Sequence, residues 1–174
     1  MILSRDFYFG EPLKIARGLL GCYLCNDTGL RGRICEVELY TESERACHAF
    51  GGRCTGRTET LFMQGGHAYV YLCYGLHNLF NVVIGEQGHA SAVLIRALEL
   101  PGCNGPAKLT KKFGITRKDD KLDLTVGRRL WLEPADTKFK IIAGRRIGVD
   151  YAGKDAELPW RFAIKDSPFI SKPI

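Results

Sequence analysis

The sequence predicts an α+β fold: a single mixed domain over residues 1–174, in which helices flank a curved antiparallel sheet and one β-hairpin protrudes. Three observations support this prediction. Segments with the alternating pattern of strands recur from distant parts of the chain. Only two segments have the apolar spacing of an amphipathic helix. The 174 residues, 45% hydrophobic and 25% charged, suit one globular domain with a sizeable core.

The first predicted element is a helix over residues 9–20. Leucine, isoleucine and alanine recur there near i, i+3, i+4 spacing, Pro12 suits the first turn, and Gly21 ends the helix. The triplet Asp27-Thr28-Gly29 follows, just before Arg31. Aspartic proteases use the same triplet, but in this setting it indicates a hairpin turn.

A strand is predicted over residues 34–40, where the side chains alternate. Ile34, Glu36, Glu38 and Tyr40 share one face, and the residues between them form an apolar face that should meet the core. Two interpretations of the polar face stay open. It can be the solvated acidic face of an edge strand. If the fold covers it, a carboxylate held beside an aromatic ring can act as a general base.

Residues 41–60 form a predicted long polar loop, which serves function or closes as a flexible lid. A lone histidine such as His48 is more often structural than catalytic. A β-hairpin follows, with strands over 68–74 and 79–84 and a turn at 75–78. Its tip should present an aromatic and apolar projection. This projection either wedges between stacked bases or packs on its own domain; its residues are Tyr74, Leu76 and His77.

Further elements complete the predicted sheet. A nearly apolar strand over 90–99 carries Arg96, which needs a carboxylate such as Glu38 or Glu99 as a partner. A basic helix over 104–114 has Asn104 as a candidate cap, and such a helix can hold a phosphate. Shorter strands and a tail are predicted at 130–132, 140–149, 159–164 and 166–171.

The charge of the chain favours a polyanionic partner. The net charge is +6 and the isoelectric point is near 9.0. Paired basic residues recur along the chain, and a phosphate backbone is the partner that suits such clusters. These pairs are Arg31/Arg33, Lys111/Lys112, Arg128/Arg129 and Arg145/Arg146.

The cysteines predict an intracellular protein with reduced thiols. Their number, seven, is odd, and no charged-then-apolar leader is visible. Cys22 and Cys25 have the spacing of half a zinc site, but no second pair completes it, which favours a structural role. No apolar run reaches the length of roughly 18 residues that a membrane span requires. We therefore expect no membrane association and no bound metal or cofactor.

Over nearly its whole length the chain resembles the alkyladenine (3-methyladenine) DNA glycosylase family of base-excision repair. Many matching segments occur in the same order. They are Gly32–Tyr40, His48, Gly51–Arg53, Leu61–Met63, Tyr69–Gly75, Asn81, Val93–Ala97, Gly105–Leu109, Arg146–Val149 and Trp160–Phe162.

The resemblance implies a role for each residue of the site. Glu38 matches the general base that activates the attacking water. Arg96 and the backbone carbonyl of Ile147 match the groups that help to hold this water. Other positions match the pocket that stacks the flipped base (Tyr40, His48 and Tyr71), the residue that disfavours guanine's amino group (Asn81) and the side chain that fills the gap in the duplex (Tyr74).

The resemblance also implies an activity and a setting. We expect a monomeric, monofunctional enzyme that removes alkylated or deaminated purines from double-stranded DNA without a cofactor and leaves an abasic site. It would work inside the cell, on the DNA of a bacterial cytoplasm or of a nucleus. Two alternatives stay open: a non-catalytic protein that recognises distorted duplex, and a metal-dependent nuclease that uses Glu36 and Glu38.

The chain departs from the family pattern at four places. His77 stands where a second aromatic residue is common beside the wedge, and Ala163 replaces a frequent aromatic residue in the last strand. The stretch 85–91 is longer than usual, and 100–103 is shorter. These departures bear on the range of lesions and on the grip on the duplex.

Overall fold

The computed structural model describes residues 1–174 and confirms the α+β prediction. Its regular elements are α1 (Pro12–Leu19), α2 (Pro106–Phe113), β1 (Tyr23–Asn26), β2 (Arg31–Thr41), β3 (Ala68–Cys73), β4 (His77–Val83), β5 (Ser91–Glu99), β6 (Leu130–Glu133), β7 (Ile141–Gly144) and β8 (Arg161–Ile164). Short 3-10 helices occupy Arg5–Tyr8, Phe50–Gly52, Glu59–Phe62, Arg117–Asp119 and Asp150–Glu157.

All eight strands form one antiparallel sheet, and β2 lies in its middle. The main path runs β3-β4-β5-β2-β1-β6, while β8 pairs with both β2 and β7. Along one edge, β2 pairs first with β1 and then, over Glu36–Glu38, with β8. Its other edge pairs with β5. The interpretation of β2 as an edge strand is therefore wrong, because the strand is bonded on both sides.

A bulge in β2 decides which side chains reach the core. The pairing with β5 shifts register on both sides of Glu36. The extra residue disrupts the strict alternation predicted for 34–40. As a result, Ile34 joins Cys35, Val37 and Leu39 in the apolar core. The prediction that Ile34 shares a face with Glu36 and Glu38 is wrong, while the alternation from Glu36 to Tyr40 is kept.

The apolar residues form one main core and two smaller clusters. The main core of 30 buried residues packs the sheet against α1 and α2. A second cluster joins the loop after β2 to the strands around Tyr69. The third joins Ala46 of that loop to Val149, Ala152 and Ala156. The two smaller clusters thus fix the long polar loop at both ends, which argues against a freely mobile lid.

Several element boundaries differ from the sequence prediction. The helix predicted over 9–20 begins at Pro12, because Glu11 is still extended. In the second helix Gly105, not Asn104, is the N-cap, and Asn104 instead accepts a hydrogen bond from Lys108 Nζ at 3.1 Å. The strand predicted over 140–149 ends at Gly144. No helix has the length and apolar character that a membrane crossing requires.

All seven cysteines are free thiols. Burial raises the pKa of Cys22 to about 11 and that of Cys25 to about 11. Both side chains are buried, and Cys22 Sγ bonds the carbonyl oxygen of Gly18 at 3.3 Å. Thiols with raised pKa values are poor nucleophiles and poor metal ligands at neutral pH, which supports a structural role for this pair.

Candidate active site

A cavity of about 570 Å³ opens between the sheet and the loops on one side of it. Strands β2, β3, β4 and β5 supply its floor and one wall, and the start of α2 and the segment after β7 supply the rest. The cavity brings together all but one of the ten residues predicted for the site. They are Glu38, Tyr40, His48, Tyr71, Tyr74, His77, Asn81, Arg96 and Ile147; Leu76 lies outside the lining.

Glu38 is a fully buried carboxylate at the base of the cavity, held by three groups. The hydroxyl of Tyr40 donates to its Oε2 at 2.7 Å. The backbone N–H of Ile147 donates to Oε1 at 2.8 Å, and Arg96 Nη1 lies 3.5 Å from the same oxygen. A carboxylate offers about four lone-pair positions. One acceptor position on Glu38 therefore remains for a further donor such as water.

Burial changes the proton affinity of Glu38. Loss of water raises the pKa of this carboxyl above its usual value, whereas Arg96, the Tyr40 hydroxyl and the Ile147 N–H work in the opposite direction. The carboxylate is thus more basic than an exposed glutamate, yet three groups stabilise its charge. A raised pKa nearer to neutral pH is what a general base requires.

Arg96 is shared between two buried carboxylates. Its Nη1 faces Glu38, and its Nε lies 3.4 Å from Oε1 of Glu36. Glu99, the other predicted partner, pairs instead with Arg33 at 3.0 Å. The prediction of a carboxylate partner for Arg96 is therefore right for Glu38 and wrong for Glu99.

Aromatic rings form the upper walls of the cavity. The His48 ring meets Tyr71 edge to face, with 4.6 Å between the ring centroids. Tyr71 in turn stacks on Tyr69 at 5.4 Å. Across the cavity stands Tyr40, whose ring lies 4.8 Å from the guanidinium of Arg146. These rings give the cavity flat, electron-rich surfaces that suit a planar base.

His48 is neutral at physiological pH. Its surroundings lower the pKa to about 4, first through loss of water and second through the nearby cation of Arg57. The ring hydrogen-bonds through Nδ1 with the Tyr69 hydroxyl at 3.0 Å. Its remaining surface is exposed toward the cavity, so a base that fills the cavity would remove still more water from it.

Asn81 lies in the floor beside these rings. Its side chain is buried, and its Nδ2 donates to the carbonyl oxygen of Tyr69 at 3.2 Å. This bond fixes the plane of the amide. The side chain consequently limits the depth of the cavity at a defined position.

The hairpin tip projects away from the body of the protein. Tyr74 is 90% exposed and Leu76 is 75% exposed. Tyr74 has a φ of 51°, a left-handed conformation that is uncommon for a tyrosine. The interpretation in which the tip packs on its own domain is therefore wrong.

Sequence reasoning missed several residues of the site. Tyr69 and Arg57 both line the cavity. Tyr69 lies two residues before Tyr71 in β3, and this spacing could have indicated it. Glu44 and Arg146 form a buried bidentate ion pair, with distances of 2.8 and 2.9 Å, behind the Tyr40 ring. Because their partners are about a hundred residues apart in the chain, no local pattern reveals this pair.

The comparisons with known proteins agree with one another. The family model described as "Methylpurine-DNA glycosylase (MPG)" matches residues 6–103 and 100–168. A protein of Clostridium botulinum (strain Alaska E43 / Type E3) described as "Putative 3-methyladenine DNA glycosylase" is 41% identical over 201 residues, covering 99% of this chain and 100% of the relative. Proteins with the same description from Bdellovibrio bacteriovorus and Carboxydothermus hydrogenoformans are 41% and 42% identical, each covering 99% of this chain and 100% of its own length.

These matches confirm the resemblance on which the site residues were predicted. The family model extends over most of the chain, and the relatives align from end to end. The matched residues include the strand that carries Glu38 and the hairpin that carries Tyr74. The chain belongs to the methylpurine-DNA glycosylase family.

Proposed function

We propose that this protein flips a damaged purine out of duplex DNA into the cavity and hydrolyses its N-glycosidic bond, with Glu38 as general base. One observation carries the proposal: a fully buried carboxylate, with an acceptor position to spare, lies at the base of a slot lined by Tyr40, His48 and Tyr71. A base inside a duplex cannot be reached, so such a slot suits a nucleotide turned out of the stack.

In the proposed reaction, Glu38 takes a proton from a water molecule that Arg96 and the carbonyl of Ile147 help to orient. The water oxygen bonds to the anomeric carbon of the sugar, while the bond from that carbon to the purine nitrogen breaks and its electron pair leaves with the base. The anionic carboxylate also opposes the positive charge that builds up on the sugar. The products are a free base and an abasic site.

The slot is suited to alkylated bases because alkylation leaves a purine cationic. Stacking a cation on tyrosine rings adds roughly 0.5–2 kcal/mol over a neutral base. A neutral His48 avoids the repulsion that an imidazolium would cause. The same positive charge makes the purine a better leaving group. Deaminated purines lack this charge and would depend more on the shape of the cavity.

The hairpin supplies a side chain for the space that the flipped base leaves. Tyr74 at its tip would insert into the base stack, with Leu76 and His77 beside it. Unstacking and unpairing cost a few kcal/mol, less at a damaged pair. The protein would work as a monomer on DNA inside the cell, and the chemistry uses no cofactor.

The substitution Glu38→Gln tests the general base. Glutamine keeps the shape of the side chain but cannot take a proton, so the variant should bind lesion duplex like the unaltered protein and release at least about a hundredfold less base. A panel of duplexes, each with one lesion, assayed for free base would also define the substrate range. The panel holds 3-methyladenine, 7-methylguanine, hypoxanthine and ethenoadenine.

The control is Glu133→Gln, which alters a carboxylate that pairs with Arg31 outside the cavity and should leave base release unchanged. Full release by Glu38→Gln would remove Glu38 from the mechanism. Lesion binding by the unaltered protein without release of any base would favour the non-catalytic DNA-binding protein. Strand cleavage that disappears in excess chelator would favour the metal-dependent nuclease.

A further inference from the structure

A second carboxylate, Glu36, is buried two residues before Glu38, and the proposed reaction does not use it. Like Glu38, it is fully buried. Its Oε1 accepts from Arg161 Nη1 at 3.1 Å and lies 3.4 Å from Arg96 Nε. A buried charge is tolerated only where ions and hydrogen bonds compensate it. The partners of Glu36 therefore indicate what it does.

Two of those partners belong to Ser171, in the segment that follows β8. The backbone N–H of Ser171 donates to Glu36 Oε2 at 2.5 Å, and its hydroxyl bonds Glu36 Oε1 at 2.9 Å. The same hydroxyl accepts from Arg96 at 3.3 and 3.4 Å. Ser171 thus touches both the carboxylate and the guanidinium, 135 and 75 residues away along the chain.

Arg161 fastens this segment from the other side. Its Nη1 donates to the carbonyl oxygen of Lys172 and its Nη2 to that of Pro173, both at 3.0 Å. Its Nε donates to the carbonyl oxygen of Arg145 at 2.8 Å. One guanidinium therefore links Glu36, the segment 171–173 and the stretch just before Ile147.

The charges around Glu38 make this arrangement consequential. Six groups act on the Glu38 carboxylate or are acted on by it: Arg96 on β5, Glu36 and Tyr40 on β2, Tyr71 on β3, Arg146 after β7, and Tyr151 in the 150–157 helix. Only Glu36 adds a second negative charge. Since Glu36 competes with Glu38 for Arg96, the donors that satisfy Glu36 leave more of the Arg96 charge to Glu38.

We propose that Glu36, Arg161 and Ser171 are positioning residues, which hold Arg96 toward Glu38 and so set the pH above which the general base is ionised. The proposal rests on the proposed role of Glu38. It assigns to the segment 171–173 an influence on catalysis although this segment does not line the cavity.

The direction of the effect follows from the charges. A general base works only when ionised, so base release falls as the pH drops through its pKa. If Ser171 loses its hydroxyl, Glu36 keeps less compensation and draws more on Arg96, which makes Glu38 harder to ionise. The acid side of the pH profile then moves to higher pH. Neutralising Glu36 has the opposite effect, because Arg96 is left with one carboxylate.

The test compares pH profiles of single-turnover release of 3-methyladenine from methylated duplex DNA. Ser171→Ala should lower the rate about two- to fivefold on the acid side, because a hydrogen bond to a charged group is lost, and leave the plateau rate and duplex binding unchanged. Ser171→Thr restores a hydroxyl and should restore the profile. Ser167→Ala is the matched control, because this nearby buried serine hydroxyl has no hydrogen-bond partner.

Glu36→Gln provides the second arm, with thermal unfolding as a check that the variant is folded. Its acid side should move to lower pH, opposite to that of Ser171→Ala. If Glu36→Gln does not fold, the comparison of alanine and threonine at 171 decides alone.

The outcomes separate this inference from the proposed function. A profile of Ser171→Ala that superimposes on the original, or a rate lowered equally at every pH, overturns the inference while base release still depends on Glu38. Base release that does not depend on Glu38 overturns the proposed function itself, and the inference with it.

Discussion

At the scale of single residues, His48 shows how environment fixes a charge state. An imidazole beside a phosphate backbone would ordinarily gain a proton, yet its surroundings and Arg57 lower its pKa to about 4. The histidine can therefore stack on a cationic purine without repulsion. The residue type alone could not have told us this, because the same histidine beside a carboxylate would be charged.

We predict that the ring resonances of His48 in NMR spectra stay constant from pH 8 down to about 5.5, below the ordinary histidine pKa of about 6.5. Arg57→Ala removes the cation and should move the titration to higher pH. Titration of His48 near its ordinary value in the unaltered protein would contradict the prediction.

The same lowered pKa has a consequence for stability. Below pH 6.5 the unfolded chain takes up a proton that folded His48 refuses until about pH 4. The contribution of His48 to the free energy of unfolding is therefore unaffected above pH 6.5, and it decreases as the pH falls from there toward 4.

Local patterns identified the residues of the cavity better than those that hold them. Glu38, Tyr40 and Tyr71 stand out because acid and aromatic residues alternate with apolar ones on short strands. Glu44, Ser171 and Arg161 do not, because each acts through a partner brought close only by the fold. The tail predicted at 166–171 contains one of these contacts without any pattern that indicates it.

At the scale of elements, the hairpin β3–β4 was predicted well, because tyrosines and aliphatic residues alternate on both sides of a glycine-containing turn. The strand β2 was predicted less well. Whether it lies at an edge depends on β5 and β8, which come much later in the chain, and the bulge near Glu36 has no reliable sequence mark.

We predict that Tyr74→Ala weakens binding to lesion duplex about tenfold, the loss of stacking on one base, and leaves binding to single-stranded lesion DNA unchanged. Stability should change by less than about 0.5 kcal/mol, because an exposed side chain makes few contacts. Val126→Ala is a suitable control, since Val126 is also exposed but lies outside the cavity lining. Equal losses on duplex and single strand would count against a wedge.

At the scale of the whole molecule, the net charge of +6 is distributed unevenly. Arg31, Arg129 and Arg145 form ion pairs with carboxylates on the protein itself. Lys111 and Lys112 are exposed on α2, whose first residues line the cavity, and neither forms an ion pair. Among the predicted basic clusters, the lysine pair on α2 is therefore the one best suited to contact phosphates.

We predict that duplex binding weakens steeply with salt, with a slope of the logarithm of the binding constant near −0.9 for each phosphate contacted. The Glu38→Gln variant allows the measurement without loss of substrate. Lys111→Ala combined with Lys112→Ala should reduce the slope by up to about two contacts. A binding constant that does not change with salt would contradict the contribution of charge.

The central position of β2 has a consequence for how the protein comes into being. Glu38 is bonded to Leu94 on one side and to Arg161 on the other, so its strand is complete only when β5 and β8 have arrived. A slip of one residue in this pairing would turn the carboxylate toward the opposite face of the sheet. A nascent or half-assembled copy consequently carries no working base, and the genome is exposed to this chemistry only by chains whose folding is finished.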